Sequence, residues 1–327
     1  MGNRSMISRT YDNVFVLPAI HARQHPIQPA AHAVSLPVDP LRQYASPMLN
    51  ISALCIDRHL GDHADRAAII WPGSGARPEE RVSCQALHEH VCRLANALLD
   101  QGVQRGDRVA IHMPLMMESI VAVLACIRIG AVHVVLAGVS DVPALAERLA
   151  QCGAVVVLTD LETGGIEGVV SSKARLDSAL AIAGARCRVQ MVLVVAPAAA
   201  DVPMKPGRDH FYDAVVDWYE PDFPPAVMFA DEPLFLLYPS HRPGRERGVS
   251  YTVGEYSRLT SYAMEMLAPQ GNEEIPYSFL NMAWNAGQTA LVVSVLAKGS
   301  TIAAPGDGLQ PQNGLPGRVP FTILFST

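Results

Sequence analysis

The sequence predicts an α/β protein in which a mostly parallel sheet is covered by helices on both faces. Short runs of apolar, often β-branched residues alternate along the chain with segments of helical periodicity. The strand-like runs are apolar throughout, which is typical of strands buried on both faces of a parallel sheet. The composition agrees, because 50% of the 327 residues are hydrophobic and only 17% are charged. A chain of this kind can bury a large core and is not a disordered protein.

The alternation is clearest in the first half of the chain. Gly102, Gly130 and Gly153 each follow a helical segment, where a glycine commonly ends a helix. The predicted helices cover residues 86–101, 118–129, 142–151 and 175–183, and the predicted strands cover residues 108–113, 131–136, 154–158 and 189–195.

The second half is less regular and begins with a polar, proline-rich bridge over residues 198–225. Beyond it we predict strands over 234–238, 277–282 and 301–304, and helices over 252–267 and 290–297. Residues 321–325 form a last apolar run with no helix to cover it. An unpaired strand at this point would be expected to seek a partner.

These patterns divide the chain into four predicted parts. Residues 1–50 contain six prolines and form an extended leader. Residues 51–200 form a first α/β sub-domain, and residues 201–304 form part of a second one. Residues 305–327 form a loop-rich tail.

Charge and cysteine usage restrict the function classes. The chain has 31 acidic and 25 basic residues, and its net charge of −6 argues against binding of nucleic acid by bulk charge. The most apolar stretch, residues 120–139, is interrupted by Arg128 and His133, which disfavours a membrane span. Six cysteines without a CxxC pair indicate reduced thiols. We therefore expect a cytoplasmic protein that binds neither nucleic acid nor a membrane.

Several long segments of the chain match one family pattern. They are IDRHL (56–60), DRAAIIW (65–71), LHEHVCRLANALLDQGVQRGDRVAIHMP (87–114), VAVLACIRIGAVHVV (121–135) and DEPLFLLY (231–238). In these segments the chain resembles the large N-terminal domain of acetyl-CoA synthetase and its propionyl-activating relatives, which are adenylate-forming ligases. The resemblance extends from about residue 50 to the C-terminus. It implies the N-terminal sub-domains of the adenylate-forming ligase fold, with mostly parallel sheets flanked by helices.

The resemblance also implies a two-step reaction. In this family a carboxylate attacks the α-phosphate of ATP, and the thiol of CoA then displaces AMP from the acyl-adenylate. Negative charge develops on the phosphates, so such a site needs backbone N–H donors, cationic side chains and Mg²⁺. ATP, Mg²⁺ and CoA are thus the cofactors that the resemblance implies, and no cofactor follows from the residues alone.

The loop that should bind ATP departs from the family pattern. The family reads Thr-Ser-Gly-Ser-Thr-Gly-Lys-Pro-Lys-Gly where this chain reads PSHRPGRERG over residues 239–248. Pro239 and Pro243 remove two N–H donors, and bulky residues replace a glycine and a serine. Either the loop is a re-tuned anion site, or it is a decayed, solvated loop. The residues that still match the pattern or carry positive charge in this degenerate loop are Ser240, Gly244, Arg245, Arg247 and Gly248.

The CoA side and the acyl pocket are also altered or ambiguous. Relatives have a Gly-Gly turn where this chain has Ala137 and Gly138, and a basic pair where this chain has glycines. Lys173 and Arg175 supply the nearby positive charge. Trp284, with Gly287 behind it, matches the segment that bounds the acyl pocket in the family, although Trp284 is equally compatible with a core position.

Isolated histidines and a cysteine give weaker signals. His88 and Cys92 share one face of a predicted helix, but His90 points elsewhere, so we expect no metal site. His112 and His133 lie in predicted buried strands and are interpreted as core histidines with satisfied hydrogen bonds.

Three hypotheses follow. The first is a truncated, degenerate ligase homologue without full activity, which either has an interaction or regulatory role or is a decayed homologue. The second is an acid–thiol ligase for a short carboxylate, either active by itself or completed by a partner protein that carries the missing domain. The third is a nucleotide or anion sensor at Arg242, Arg245 and Arg247. No catalytic residue is assigned, because the resemblance places the catalytic lysine in a domain that these 327 residues do not reach.

Overall fold

The described residues of a computed structural model form two β-sheets and the helices packed against them. None of the helices within these residues is long and apolar enough to cross a membrane. The structure describes residues 50–71, 80–114, 116–136, 139, 141–161, 171–196, 200–238, 247–258, 275–280, 286–303 and 319–324.

The larger sheet has seven strands in the order β7-β6-β5-β3-β4-β8-β9. All neighbouring pairs are parallel except β8 and β9, which are antiparallel. The mostly parallel α/β class predicted from the sequence is therefore confirmed. The strands are β3 (Arg108–His112), β4 (Val132–Val135), β5 (Val156–Asp160), β6 (Met191–Val195), β7 (Asp209–Phe211), β8 (Pro233–Leu237) and β9 (Val249–Thr252).

The helices agree closely with the predicted periodicity. Four of them begin at side-chain caps, since Asn50, Ser83, Asp141 and Ser171 accept hydrogen bonds from backbone N–H groups of the first turn. Gly130 and Gly153 end two helices in the left-handed conformation, as the sequence predicts. The helices are α1 (Ile51–Cys55), α2 (Cys84–Asp100), α3 (Met117–Ile129), α4 (Val142–Cys152), α5 (Ser172–Ala183), α6 (Tyr212–Val216), α7 (residues 253–258 as described) and α8 (Ala286–Ala297).

Helices cover both faces of the larger sheet, as expected for a parallel sheet. Helices α2 and α3 pack on one face, where Val109 and Ile111 of β3 belong to their core. Helices α4 and α5 pack on the other face, where Ala110 of β3 and Val157 of β5 point. This alternation along β3 shows why its sequence is apolar throughout.

The smaller sheet has five strands in the order β10-β12-β11-β1-β2. They are β1 (Ala67–Trp71), β2 (Glu80–Ser83), β10 (Ile275–Leu280), β11 (Thr301–Ala303) and β12 (Val319–Leu324). The expectation of an unpaired terminal strand is wrong, because β12 pairs antiparallel with both β10 and β11. Strands from both ends of the chain share this sheet, whereas the sub-domain boundaries drawn from the sequence stay a prediction.

The proline-rich bridge contains more structure than its sequence suggests. Strand β7 and helix α6 lie within residues 198–225, which were expected to be loop. Both elements are short, and their apolar residues are too few to produce a periodic pattern. The edge strand β9 was also missed, because residues 249–252 are only half-buried and carry no apolar run.

Candidate functional site

The carboxyl ends of the parallel strands provide the candidate site. Strand β8 lies parallel to β4, with His133 of β4 opposite Phe235 of β8. After β8 the chain turns back into β9, whose Val249 pairs with Leu237. Residues 239–248, the loop in which the resemblance places ATP binding, therefore connect the carboxyl end of β8 to the start of β9.

The strand order makes this edge suitable for a ligand. From β4 the chain crosses over β3 to reach β5, whereas from β8 it continues to the outer strand β9. The connections thus leave β4 and β8 in opposite directions. In open α/β sheets a ligand typically binds at such a point, outside the carboxyl ends of the strands.

Tyr238 fixes the chain where the loop begins. The Tyr238 side chain is buried, and its hydroxyl donates a hydrogen bond of 3.2 Å to the backbone oxygen of Arg148 in α4. The buried Arg148 guanidinium lies 5.3 Å from the centre of the Tyr238 ring. This stacked contact holds the carboxyl end of β8 against α4.

Only the last two candidate loop residues lie within the described part of the chain. Arg247 is exposed and Gly248 is buried just before β9. Ser240, Gly244 and Arg245 lie outside the described residues, as do Gly138 and the pocket residue Trp284. Gly287 is the second residue of α8. The assignment of these residues to a site stays a prediction.

On the CoA side, the structure places Lys173 in internal ion pairs. Lys173 is buried at the start of α5, and its ammonium group pairs with Asp177 at 2.5 Å and with Asp209 at 2.8 Å. It also donates to the backbone oxygen of Pro203 at 3.1 Å. Its charge is therefore used to join α5 to β7. Arg175, also expected to contribute charge, donates to Ser172 within its own helix at 3.3 Å.

A group of polar side chains lies at the ends of β3 and β5, and the sequence identified only one of them, His112, as a core histidine. The imidazole Nδ1 of His112 lies 3.3 Å from the Thr159 hydroxyl, which donates to the His112 backbone oxygen at 3.1 Å. Burial and the nearby Arg175 lower the pKa of His112 to about 4. Asp160 follows Thr159 and is also buried. The only sequence signal for these residues is their position at strand ends.

A buried polar cluster links α2, α3 and the segment before β8. Arg128 is 1% exposed and makes a bidentate ion pair with Asp57, at 2.7 and 2.8 Å. Its Nε donates to the backbone oxygen of Phe223 at 2.7 Å, and its Nη2 lies 3.3 Å from Nε2 of His88. The guanidinium therefore lies at the Nε2 edge of the His88 ring.

The same cluster brings together three groups that are metal ligands in other proteins. Potential ligand atoms of His88, Cys92 and Asp222 all lie within 4.8 Å of one another, whereas His90 is not part of the group. Burial raises the pKa of the Cys92 thiol to about 11, and burial together with Arg128 lowers the pKa of His88. These shifts keep both groups neutral, and the cation beside His88 disfavours a second cation.

His133 is buried as predicted, but the expectation that its hydrogen bonds are satisfied is wrong for the described residues. Neither ring nitrogen has a hydrogen-bond partner among them. The ring instead lies 4.8 Å from that of Phe235 and 6.2 Å, edge-on, from that of Tyr256. Burial lowers the pKa of His133 to about 3, so the ring is neutral.

We expect the replacement His133→Leu to reduce the acid sensitivity of the fold. Because the folded state holds the pKa of His133 below its unfolded value of about 6.5, stability is lost as the pH falls below that value. Between pH 7.5 and 5.5 the linkage relation gives about 1 kcal/mol for this histidine. Urea unfolding at both pH values measures it, with exposed His63→Gln as the control. If the stability of His133→Leu depended on pH as that of the unaltered chain does, the conclusion that the fold holds His133 neutral would be wrong.

The fold defines an α/β protein built on a mostly parallel sheet with a candidate ligand site at the carboxyl ends of its strands, and sequence comparison identifies the family. The model of the AMP-binding enzyme family matches residues 56–318. The chain belongs to this family. It is 37% identical over 265 residues to the acetyl-coenzyme A synthetase of Agrobacterium fabrum and 38% identical over 265 residues to that of Allorhizobium ampelinum. It is 37% identical over 254 residues to that of Shewanella halifaxensis.

These matches cover most of this chain but less than half of each relative. The aligned region makes up 80% of this chain and 40% of the Agrobacterium and Allorhizobium proteins. For the Shewanella protein the shares are 78% and 39%. The resemblance noted from the sequence motifs is therefore confirmed as a relationship to the N-terminal part of acetyl-coenzyme A synthetases.

Proposed function

We propose that this acetyl-CoA-synthetase-like AMP-binding domain lacks full ligase activity and acts as an interaction or regulatory protein. The observation that carries the proposal is the sequence PSHRPGRERG at residues 239–248. This segment follows Tyr238 at the carboxyl end of β8, the place where a phosphate would have to be held. A phosphate loop needs free N–H groups and close approach of the backbone, and prolines at 239 and 243 provide neither.

The CoA side supports the same proposal. Lys173, which the sequence suggested as a source of positive charge, is buried in ion pairs with Asp177 and Asp209. Arg175 donates to a serine of its own helix. The Lys173 ammonium group is therefore not presented to the phosphates of a nucleotide. Removing Lys173 from its ion pairs would leave the buried Asp209 carboxylate paired with Arg208 alone among the described residues.

The observation that favoured a partner-completed ligase was the expected unpaired strand at residues 321–325. In the structure β12 is paired on both sides, so this observation no longer supports the hypothesis. The anion sensor rests on arginines 242, 245 and 247, of which the structure describes only the exposed Arg247. The anion sensor remains one outcome of the calorimetric titration described below.

Pyrophosphate exchange tests the proposal directly. The full chain is incubated with ATP, Mg²⁺ and labelled pyrophosphate, with and without acetate or propionate, beside the Agrobacterium fabrum enzyme as a positive control. We expect no acid-dependent exchange above the rate without enzyme. A clear acid-dependent rate would overturn the proposal. Calorimetric titration with ATP, AMP and CoA then separates an inert loop, which gives no heat, from an anion sensor.

A further inference from the structure

An exposed tryptophan lies in an acidic part of the surface that the proposed function does not use. Trp218 follows helix α6 and is 87% exposed. Tryptophan is usually buried to a large extent, because its side chain contributes more apolar area than almost any other. An exposed tryptophan with a fixed surrounding surface is the type of residue that dominates binding at protein interfaces.

The backbone around Trp218 is held firmly. The Tyr219 hydroxyl donates a hydrogen bond of 2.6 Å to Asp100 at the end of α2. The side chain of Asn96 donates to the backbone oxygens of Glu220 and Asp222, at 2.9 and 3.1 Å. Tyr212 and Val216 of α6 are buried in the core beneath. Trp218 thus projects from a turn anchored on both sides, which lowers the entropy cost of binding a partner.

The surroundings of Trp218 are strongly acidic. From Asp209 to His241 the sequence contains seven Asp or Glu and no Lys or Arg. Asp213, Asp217 and Glu220 are exposed, and they take part in no ion pair given for the described residues. Burial and the neighbouring Asp217 raise the pKa of Asp213, and the opposing effect of nearby His90 is smaller. We name Asp213, Asp217, Trp218 and Glu220 the Trp218 surface.

We propose that the Trp218 surface binds a Lys- or Arg-rich segment of a partner protein. A guanidinium or ammonium group is attracted to the face of an indole ring, and the three exposed carboxylates of the same chain segment add complementary charge. The same charges repel nucleic acid and anionic lipid. The surface therefore selects a basic polypeptide, and it needs neither ATP nor ligase activity to do so.

Peptide binding to the full chain tests this proposal. The probe is a fluorescein-labelled peptide of ten arginines, and its anisotropy is followed as protein is added at 50 and 200 mM salt. We expect binding that weakens with salt. Trp218→Ala should weaken it about 5-fold, the equivalent of a cation–π contribution of roughly 1 kcal/mol. Asp217→Asn/Glu220→Gln should weaken it by at least as much, and a peptide of ten glutamates should not bind.

The matched control separates this surface from the overall negative charge of the chain. Asp62→Asn/Asp65→Asn removes two exposed carboxylates elsewhere, and its net charge equals that of the Asp217→Asn/Glu220→Gln variant. We expect the control to bind the peptide as the unaltered chain does. Because Trp218 is exposed, all variants should keep the same melting temperature, which verifies their folding.

Two results would overturn the proposal. One is equal peptide binding by the unaltered chain and Trp218→Ala, which would assign the affinity to diffuse charge. The other is a dimer in analytical ultracentrifugation that Trp218→Ala dissociates, which would assign the surface to a second copy of this chain. Both readouts are independent of nucleotide chemistry, so they stand whatever the pyrophosphate exchange gives.

Discussion

Replacing Asp57 by asparagine should cost the fold about 3 to 5 kcal/mol of unfolding free energy. The Arg128 side chain is 1% exposed, and Asp57 neutralises its guanidinium through two hydrogen bonds of 2.7 and 2.8 Å. In Asp57→Asn the guanidinium keeps its charge, because arginine is not deprotonated in proteins, and the charge stays buried without compensation. Urea unfolding at pH 7 measures the difference.

Two further variants show whether the loss comes from the buried charge. Asp62→Asn removes a carboxylate that is exposed, and it should change stability by less than about 0.5 kcal/mol. Asp57→Asn/Arg128→Met removes both charges and should recover part of the loss, because no isolated cation remains. A loss below about 1 kcal/mol in Asp57→Asn would show that the pair contributes little.

The second large effect is expected at the ion pairs that join α5 to β7. The Asp209 carboxylate is fully buried and pairs with Lys173 at 2.8 Å and with Arg208 at 2.5 Å. Burial alone would raise the pKa of Asp209. Hydrogen bonds from Arg208, Lys173 and the backbone of Lys205 outweigh this effect and lower the pKa to about 2. Asp209→Asn should therefore cost about 3 kcal/mol at pH 7.

The effect should depend on pH in a defined direction. Because the folded pKa of Asp209 lies below its unfolded value of about 3.8, its contribution is present above that pH and is lost as the pH falls toward 2. The stability difference between the unaltered chain and Asp209→Asn should then shrink between pH 5 and 3. Exposed Asp201→Asn is the control. A difference that stays constant over this range would show that Asp209 is not held ionised by its partners.

The sequence predicted the architecture because the strongest signals are local. Buried parallel strands such as Val109–Ile111 are apolar without interruption, and the helices between them carry caps such as Ser83 and stop at glycines such as Gly153. These patterns depend only on the burial of each element and on the geometry of its ends. Short elements with few apolar residues, namely β7, α6 and β9, gave no such signal.

The candidate site was predicted only in part. The altered loop after Tyr238 was found from the sequence, because residues 239–248 can be compared directly with the loop pattern of the family. The sequence could not show that Lys173 forms an ion pair with Asp209. The two residues are distant along the chain and come into contact only when β7 joins the sheet. The Trp218 surface was missed for a similar reason, because exposure depends on what packs nearby.

By itself, the sequence determined the α/β class, the order of most helices and strands, the family and the departure of the ATP loop from the family pattern. Each of these features can be recognised from residues that are contiguous along the chain. The tertiary structure decided which charges remain available for ligands and which are paired internally. It placed Lys173 in buried ion pairs, paired β12 on both sides and left Trp218 exposed on an acidic turn. Pairing and exposure arise from contacts between distant segments, and these contacts form only when the chain folds.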